Sequence, residues 1–233
     1  MPPFSPDRGN TSPATTMVME AAQRTMAAKT ARLVRQQPSA DTLPHLLGRR
    51  PGCHPATLMF LLMRFASRHA PEVFVETGWV DFVGRGYELD SGHYMVRVDG
   101  GRRFTGRDAS RLRQDRRVHT SSTPLEPLWL IELLRGTVWV ADIGEGEVRG
   151  AECRQYEVVT DFPRAAAASQ NGMVQHFVPP GPLATELAEE PWDGRHIRAD
   201  VFVDPAGLMR RIHVRGPLMN VTMDLYDFGV PHK

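Results

Sequence analysis

The fold of this 233-residue chain is decided by the stretch Asp200-Val-Phe-Val-Asp-Pro-Ala-Gly-Leu-Met-Arg-Arg-Ile-His-Val214. Proline presets the backbone for the first half of a tight turn, and glycine adopts positive φ at little cost, so Pro205-Ala-Gly207 predicts a turn between two strands. A further strand is predicted over Asn220–Val230. Because the same pattern recurs upstream, we expect one antiparallel sheet and not a parallel alternation of strands and helices.

Strand patterns also dominate residues 72–99 and 137–160. One strand shows the alternation plainly, because Tyr94, Val96 and Val98 fall on one face while His93, Arg97 and Asp99 fall on the other. Such alternation is typical of a sheet with one buried and one solvated face. The whole chain gives roughly eight strand signals at short spacing, including one edge strand expected near Arg117–Thr120.

Several helices interrupt the strands. A helix is predicted from Met17 towards Arg35 with Thr16 as N-cap, giving way to a strand around residues 32–37. Thr57–His69 is apolar nearly all the way round, which is typical of a buried helix. The clearest helix is Leu125–Arg135, in which Trp129, Leu130 and Leu134 share an apolar arc that Glu126 and Glu132 mostly avoid. Residues 161–169 and 183–190 are also predicted to be helical.

The domain organisation follows from length and composition. Residues 1–16 are polar and proline-rich, which predicts a disordered tail. Residues 17–233 are long enough to bury a sizeable core and are predicted to form a single domain. A proline-rich segment followed by the apolar helix forms an insertion at about 38–69.

Composition excludes several classes of protein. The formal net charge of +1 argues against a nucleic-acid partner. The basic residues are nearly all arginines, because only Lys29 and Lys233 of the 28 are lysines. This arginine bias has two interpretations, a GC-rich genome or anion recognition by guanidinium groups. The longest apolar run, Leu58–Met63, is too short for a transmembrane segment. The histidines and two cysteines match no metal-ligand spacing, so neither a metal nor a cofactor is predicted.

A set of short phrases resembles the LppX/LprG family of actinobacterial lipid-carrying lipoproteins, which are LolA-like in structure. Met26–Arg32 resembles the family's helix-to-strand step. Gly78–Phe82 and Tyr94–Asp99 resemble its "Gly-x-Val-Asp-Phe" strand and the neighbouring strand. Its "Val-Arg-Gly … Tyr-x-Val" hairpin resembles Glu147–Val158, and its last strands resemble Asp200–Arg211 and Asp227–Gly229. The chain differs from the family in lacking a signal peptide and the lipid-anchor cysteine. A cytoplasmic location is therefore expected for the sequence as written, and the cell envelope if the true start lies upstream.

The resemblance implies an α+β fold, a curved antiparallel β half-barrel with helices packed on its concave face. It also implies a hydrophobic cavity between sheet and helices that holds acyl chains. The partner expected from it is a hydrophobic small molecule or lipid, and the oligomeric state is unknown. The candidate ligand-binding residues are the aromatic and apolar side chains that could line such a cavity: Phe60, Met63, Trp79, Tyr94, Val96, Trp129, Leu130, Leu134, Trp139 and Tyr156.

Three functions remain open from the sequence. The first is a non-catalytic carrier or sensor of a lipid-like ligand. The second is a cytosolic cyclase or isomerase acting on a hydrophobic intermediate in the same cavity, for which His93, Arg97 and Asp81 could supply acid and base on neighbouring strands. The third is an interaction module that uses the 38–69 insertion as its docking surface. The polarity of the cavity lining distinguishes the first from the second.

Overall fold

The computed structural model describes residues 12–38, 73–114, 126–169, 174, 195–215 and 220–231. Within these ranges the chain forms three α-helices, α1 (Pro13–Ala27), α2 (Pro127–Leu133) and α3 (Phe162–Ala168). The same ranges contain eleven strands: β1 Thr30–Pro38, β2 Val73–Asp81, β3 Gly86–Asp90, β4 Met95–Asp99, β5 Arg102–Gly106, β6 Arg113–Gln114, β7 Thr137–Val148, β8 Ala151–Asp161, β9 His196–Val203, β10 Met209–Arg215 and β11 Val221–Tyr226.

All eleven strands belong to one antiparallel sheet in the order β6-β5-β4-β3-β2-β1-β11-β10-β9-β8-β7. The strands β2 to β6 follow one another as a meander, and so do β7 to β11. Pairing of β1 with β11 joins the two meanders in the middle of the sheet. The sheet ends at β6 and β7 without closing into a barrel in the part of the chain described here. The predicted fold class, an α+β antiparallel half-barrel with helices, is confirmed.

Alternation along each strand separates a concave, helix-bearing face from a convex face. Leu33 of β1, Val80 of β2 and Ile212 of β10 point to the concave side and belong to one hydrophobic core. Val18 of α1 and Leu130 of α2 belong to the same core, and both are fully buried. The principal helix contacts are those of α1 with β7, β9 and β10, of α2 with β10, and of α3 with β8. The three described helices therefore lie mainly over the β7–β10 half of the concave face. Among the described helices, none is long and apolar enough to cross a bilayer.

The first helix begins four residues earlier than the sequence predicts. Its N-cap is Ser12, whose hydroxyl accepts a hydrogen bond from the Thr15 amide at 3.2 Å, and Pro13 follows as the first helical residue. Proline is well suited to that position because its missing N–H has no partner there in any helix. The predicted N-cap, Thr16, was therefore wrong, and the helix extends into the stretch 1–16 that composition assigns to a polar tail. The helix ends at Ala27, so β1 begins at Thr30 and includes all of the predicted residues 32–37.

Two strands lie in a region where only one edge strand is predicted. Strands β5 and β6 occupy residues 102–114, whereas the predicted Arg117–Thr120 strand lies outside the described residues. Strand β5 carries three polar residues and only one large apolar residue, Phe104, so its sequence lacks the alternation that marks a strand. It forms because β4 offers a full hydrogen-bonding edge. The 38–69 insertion beyond Pro38 and the predicted helix at 183–190 also lie outside the described residues.

The long β7–β8 hairpin shows how turn chemistry fixes register. Its two turn residues, Arg149 and Gly150, both have positive φ (52° and 80°), which matches the right-handed twist of the flanking strands. The sequence pattern predicts a strand at Glu147 and Val148, and these are the last two residues of β7. Gly144 lies inside β7 at a register shift, where φ is 124°. The bulge bends the strand at the edge of the sheet.

Gly136 allows the end of the α2 segment to approach α3. A Cβ placed on Gly136 would lie 2.6 Å from the Ala165 amide nitrogen and 2.7 Å from its Cβ. Both atoms belong to Ala165, which is fully buried and has little freedom to move.

We predict that Gly136→Ala destabilises the protein by about 1–3 kcal/mol, the usual cost of overpacking a core. Thermal and urea unfolding followed by circular dichroism measure the loss. Gly92→Ala is the control, because its added methyl group meets no atom within 4 Å and only the positive φ of 81° is unfavourable. Equal losses in the two variants would contradict close packing at Gly136.

The convex face carries a network of paired charges on β8, β9 and β10. Glu157 is buried and lies opposite the partly buried Asp200 in register, and Arg215 contacts both, at 3.3 Å and 2.9 Å. His213 lies between Asp200 and Asn220, with Nδ1 3.5 Å from the Asp200 carboxylate and Nε2 2.9 Å from the Asn220 side-chain oxygen. Both ring nitrogens face acceptors, and only the protonated imidazole can donate to both.

Hydrogen bonding to Asp200, with a smaller contribution from Asn220, raises the pKa of His213 above its usual value. Because the folded state holds the proton more tightly than the unfolded state, His213 contributes stability below the unfolded pKa of about 6.5. This contribution is lost as pH rises through the folded pKa.

We therefore predict that His213→Gln costs more stability at a pH of about 5 than at a pH of about 9. Urea unfolding of both proteins across this range measures the difference, and the NMR titration of His213 gives its pKa directly. Asn220→Ala should lower that pKa without removing the titrating group. If the free energy of unfolding of wild type and of His213→Gln changes with pH in parallel, protonation of His213 does not stabilise the fold and the prediction is wrong.

Candidate functional site

Five of the predicted cavity residues lie together on the concave side of the sheet. Val96 points inward from β4 and Tyr156 from β8, and both are buried in the core. The other three come from α2 and the short 3-10 turn that follows it: Trp129, Leu130 and Leu134. The sequence pattern locates these residues because an apolar arc on a helix and an alternating strand both direct side chains to one core.

The other predicted residues lie elsewhere. Trp79 and Trp139 directly precede Val80 and Val140, which belong to the core, so strand alternation places both tryptophans on the convex face. Tyr94 lies in the β3–β4 turn and is 45% exposed. Phe60 and Met63 lie outside the described residues. The predicted set is therefore divided between the two faces of the sheet.

The three candidate acid–base residues are not assembled into a site. Asp81 accepts hydrogen bonds from the Val83 and Gly84 amides at 2.9 Å and 2.8 Å and stabilises the β2–β3 turn. Arg97 is paired on the convex face with Glu88, at 2.6 Å from Nε to Oε2. His93 lies in the turn at the opposite end of β3, about 13 Å from Asp81 along the strand direction. These residues stabilise separate turns and pairs.

A cleft lies between α1 and α2 at the surface of the helix layer. Its walls are mainly apolar, and a volume of about 20 Å³ gives room for little more than one water molecule. At one rim, Arg135 Nε donates to Glu132 at 2.6 Å. Glu132 is only 1% exposed, so the side of α2 outside the predicted apolar arc is buried as well. The lining residues are Met19, Ala22, Gln23, Met26, Ile131, Glu132 and Arg135.

A buried ion pair lies on the concave face where β1 meets β2. Arg35 and Glu76 are opposite each other in register, and Arg35 Nε donates to Glu76 at 2.6 Å with a second contact from Nη2. Strand alternation places Arg35 on the same face as Leu33, which belongs to the core. This pair therefore lies inside the half-barrel. The sequence signal for it is weak, because single charges in strands usually face solvent.

A second polar group lies two strands away on the same face. The Tyr87 hydroxyl of β3 donates a hydrogen bond to Glu126, which directly precedes α2. Arg103 of β5 lies 3.6 Å from the same carboxylate, from Nη1 to Oε1. Burial, and then the charge of Glu126, raise the pKa of Tyr87 far above its ordinary value, so the phenol remains a hydrogen-bond donor. Glu126 was predicted to avoid the apolar arc, but it is buried against the sheet.

Apolar and polar side chains lie side by side on this half of the concave face. Val80, Leu89, Val96 and Val98 supply apolar contacts on the concave side of β2 to β4. The two polar groups, centred on Arg35 and Glu126, supply donors and charge at the same half of the face. The residues described include no group of His, Cys, Asp and Glu side chains arranged to hold a metal ion.

Comparison with known proteins bears on the fold. No protein-family model matches the sequence, and no curated protein sequence does so either. Among solved structures, LprF from Mycobacterium bovis aligns with 95% of this chain and 96% of its own at 10% identity and a TM-score of 0.50. The lipoprotein LppX of Mycobacterium tuberculosis aligns with 94% of this chain and 98% of its own at 12% identity and a TM-score of 0.49.

A LolA superfamily protein from Nitrosomonas europaea also aligns with 94% of this chain and 94% of its own, at 7% identity and a TM-score of 0.32. At these identities the likeness is one of fold, and the LprF alignment is the one that supports it. The resemblance to LppX/LprG-type proteins that the sequence predicts is thereby confirmed at the level of structure.

Proposed function

We propose that this protein binds a hydrophobic, lipid-like ligand between the concave face of its sheet and the helix layer, and acts as a carrier or sensor of that ligand. The observation that supports this function best is an open sheet with an apolar concave face and helices mainly over one half of it. An open, curved sheet cannot fill its own concave side with side chains, so helices or a ligand must cover it.

The uneven placement of the helices suggests where the ligand lies. The described helices make their principal contacts with β7 to β10. The concave side chains of β2 to β4 are Val80, Tyr87, Leu89, Val96 and Val98. This row is a continuous apolar surface about three strands wide, or roughly 10–15 Å. Its side chains are buried, so acyl chains would reach them only when the elements packed on this face separate. We assign the ligand to this half of the face.

Ligand entry would require the helix layer to open. The cleft between α1 and α2 is too small for an acyl chain as it stands, at about 20 Å³. Met19 and Met26 line it, and methionine side chains adapt to irregular shapes because they are unbranched and flexible. Separation of α1 from α2 would enlarge the cleft.

The resemblance to lipid-carrying lipoproteins is the second support, and it bears on the class of ligand. The comparisons extend only to the fold, so the ligand class rests on the resemblance together with the apolar concave face. For the enzymatic alternative, His93, Arg97 and Asp81 would have to approach one another, and they lie on separate turns and pairs. Binding and carrying a ligand requires no such group of acid and base side chains.

Binding can be measured with methyl cis-parinarate, a neutral lipid analogue whose fluorescence rises in an apolar site. We predict saturable binding by the wild type, and a Kd raised about tenfold or more in Val96→Trp, because the indole would occupy ligand space at a cost of at least about 1.4 kcal/mol. Native mass spectrometry of the purified protein should show a bound amphiphile. Circular dichroism establishes that the variant is folded.

Val83→Trp is the matched control, because it adds the same side chain at a position in the β2–β3 turn that is 73% exposed. It should leave the Kd unchanged. Absence of saturable binding in the wild type would refute the proposed function. If both substitutions raise the Kd equally, the ligand does not bind on the concave face.

A further inference from the structure

The concave half that we assign to the ligand contains four buried charges. Arg35 and Glu76 form one pair, and Arg103 and Glu126 form the other, with Tyr87 bonded to Glu126. The exposed fraction of these charged side chains lies between 10% and 17%. Their apolar neighbours on the same face include Leu33, Leu89 and Val98.

Stability alone gives no reason for placing these charges inside the half-barrel. Removing two charges from water costs about as much as their mutual attraction returns, so apolar residues of similar volume at these positions would stabilise the fold at least as well. A buried polar cluster in an otherwise apolar surface is typical of a site that orients a ligand. We therefore expect the hydrogen-bond donors of this cluster to bind a ligand.

Glu126 occupies an informative position. It is the residue before α2, but its side chain makes no capping hydrogen bond to the helix. It reaches the sheet instead, where it accepts a hydrogen bond from Tyr87 and lies 3.6 Å from Arg103. A carboxylate is thus held at the apolar concave face by a phenol and a guanidinium, which are the donors that bind a carboxylate or phosphate headgroup.

We propose that Glu126 occupies the headgroup position of the ligand, and that the ligand is an amphiphile with one anionic headgroup. This inference rests on the proposed function. On binding, the headgroup replaces the Glu126 carboxylate at Tyr87 and Arg103, and the acyl chain lies along Val96 and Val98. The exchange keeps the charge of the cluster balanced, because one anion leaves as another enters. Arg35 stays paired with Glu76 through the shorter contact of 2.6 Å.

The test compares cis-parinaric acid with its methyl ester, which differ only in the anionic group, at a pH of about 8, where the acid is ionised. Glu126→Gln removes the competing charge and should lower the Kd of the acid about tenfold, while Arg103→Gln should raise it about tenfold, in line with one charge-assisted hydrogen bond. The Kd of the ester should change by less than about twofold in both variants.

Glu88→Gln and Arg97→Gln are the matched controls, because they make the same charge changes in a pair on the convex face. Both should leave the Kd of acid and ester unchanged. Tighter binding of the acid by Glu126→Gln cannot result from unfolding, which keeps the test valid if Arg103→Gln is unstable.

The outcomes distinguish this inference from the proposed function. If acid and ester bind alike in every variant, the headgroup site is refuted while the proposed function stands. If neither probe binds the wild type, the proposed function fails. If the control variants change the acid Kd as much as the concave variants do, the effect is one of overall charge and the headgroup site is again refuted.

Discussion

The pairing of β1 with β11 is the contact on which the rest of the structure depends. It joins residues near the two ends of the chain, with Leu33 opposite Leu225 and both fully buried. Every other neighbouring pair in the sheet is formed by strands that are consecutive along the chain. Without this central pair, two smaller sheets would each expose an edge. The closure entropy of so long a loop grows only slowly with length, and burial of the central strands offsets it.

Register at this seam decides which face of each strand is apolar. A slip of one residue would move Leu33 to the convex side and bring Arg32 or Val34 into the core. The Gly229 amide donates to the Thr30 carbonyl at 2.8 Å, and the Phe82 amide donates to the Lys29 carbonyl at 2.7 Å. Both contacts lie at the start of β1, where its pairing begins. They fix the strand against its neighbours on both sides.

The sequence predicts elements whose signal is local and misses those determined by their surroundings. The β9–β10 hairpin follows from Pro205 and Gly207, and the α2 helix follows from its apolar arc. Strand β5 is not predictable in this way, because its partner β4 and not its composition determines it. The burial of Glu126 is missed for a related reason, since its hydrogen-bond donor Tyr87 and its ion-pair partner Arg103 come from distant strands. Likewise, Trp79 and Trp139 are apolar enough for the core, and only register shows that they face outward.

Within the residues that the structure describes, the sheet ends at β6 and β7 without closing, and this has a mechanical consequence. A closed barrel has a circumference fixed by its number of strands and their stagger, so its lumen has one diameter. The open sheet described here has no such constraint, because β2 to β6 lie on one side of β1 and β7 to β11 lie on the other. A small change in twist at the β1–β11 pair displaces the edge strands β6 and β7 more than the central strands. The width of the concave face can therefore change while the hydrogen-bonded ladder stays intact.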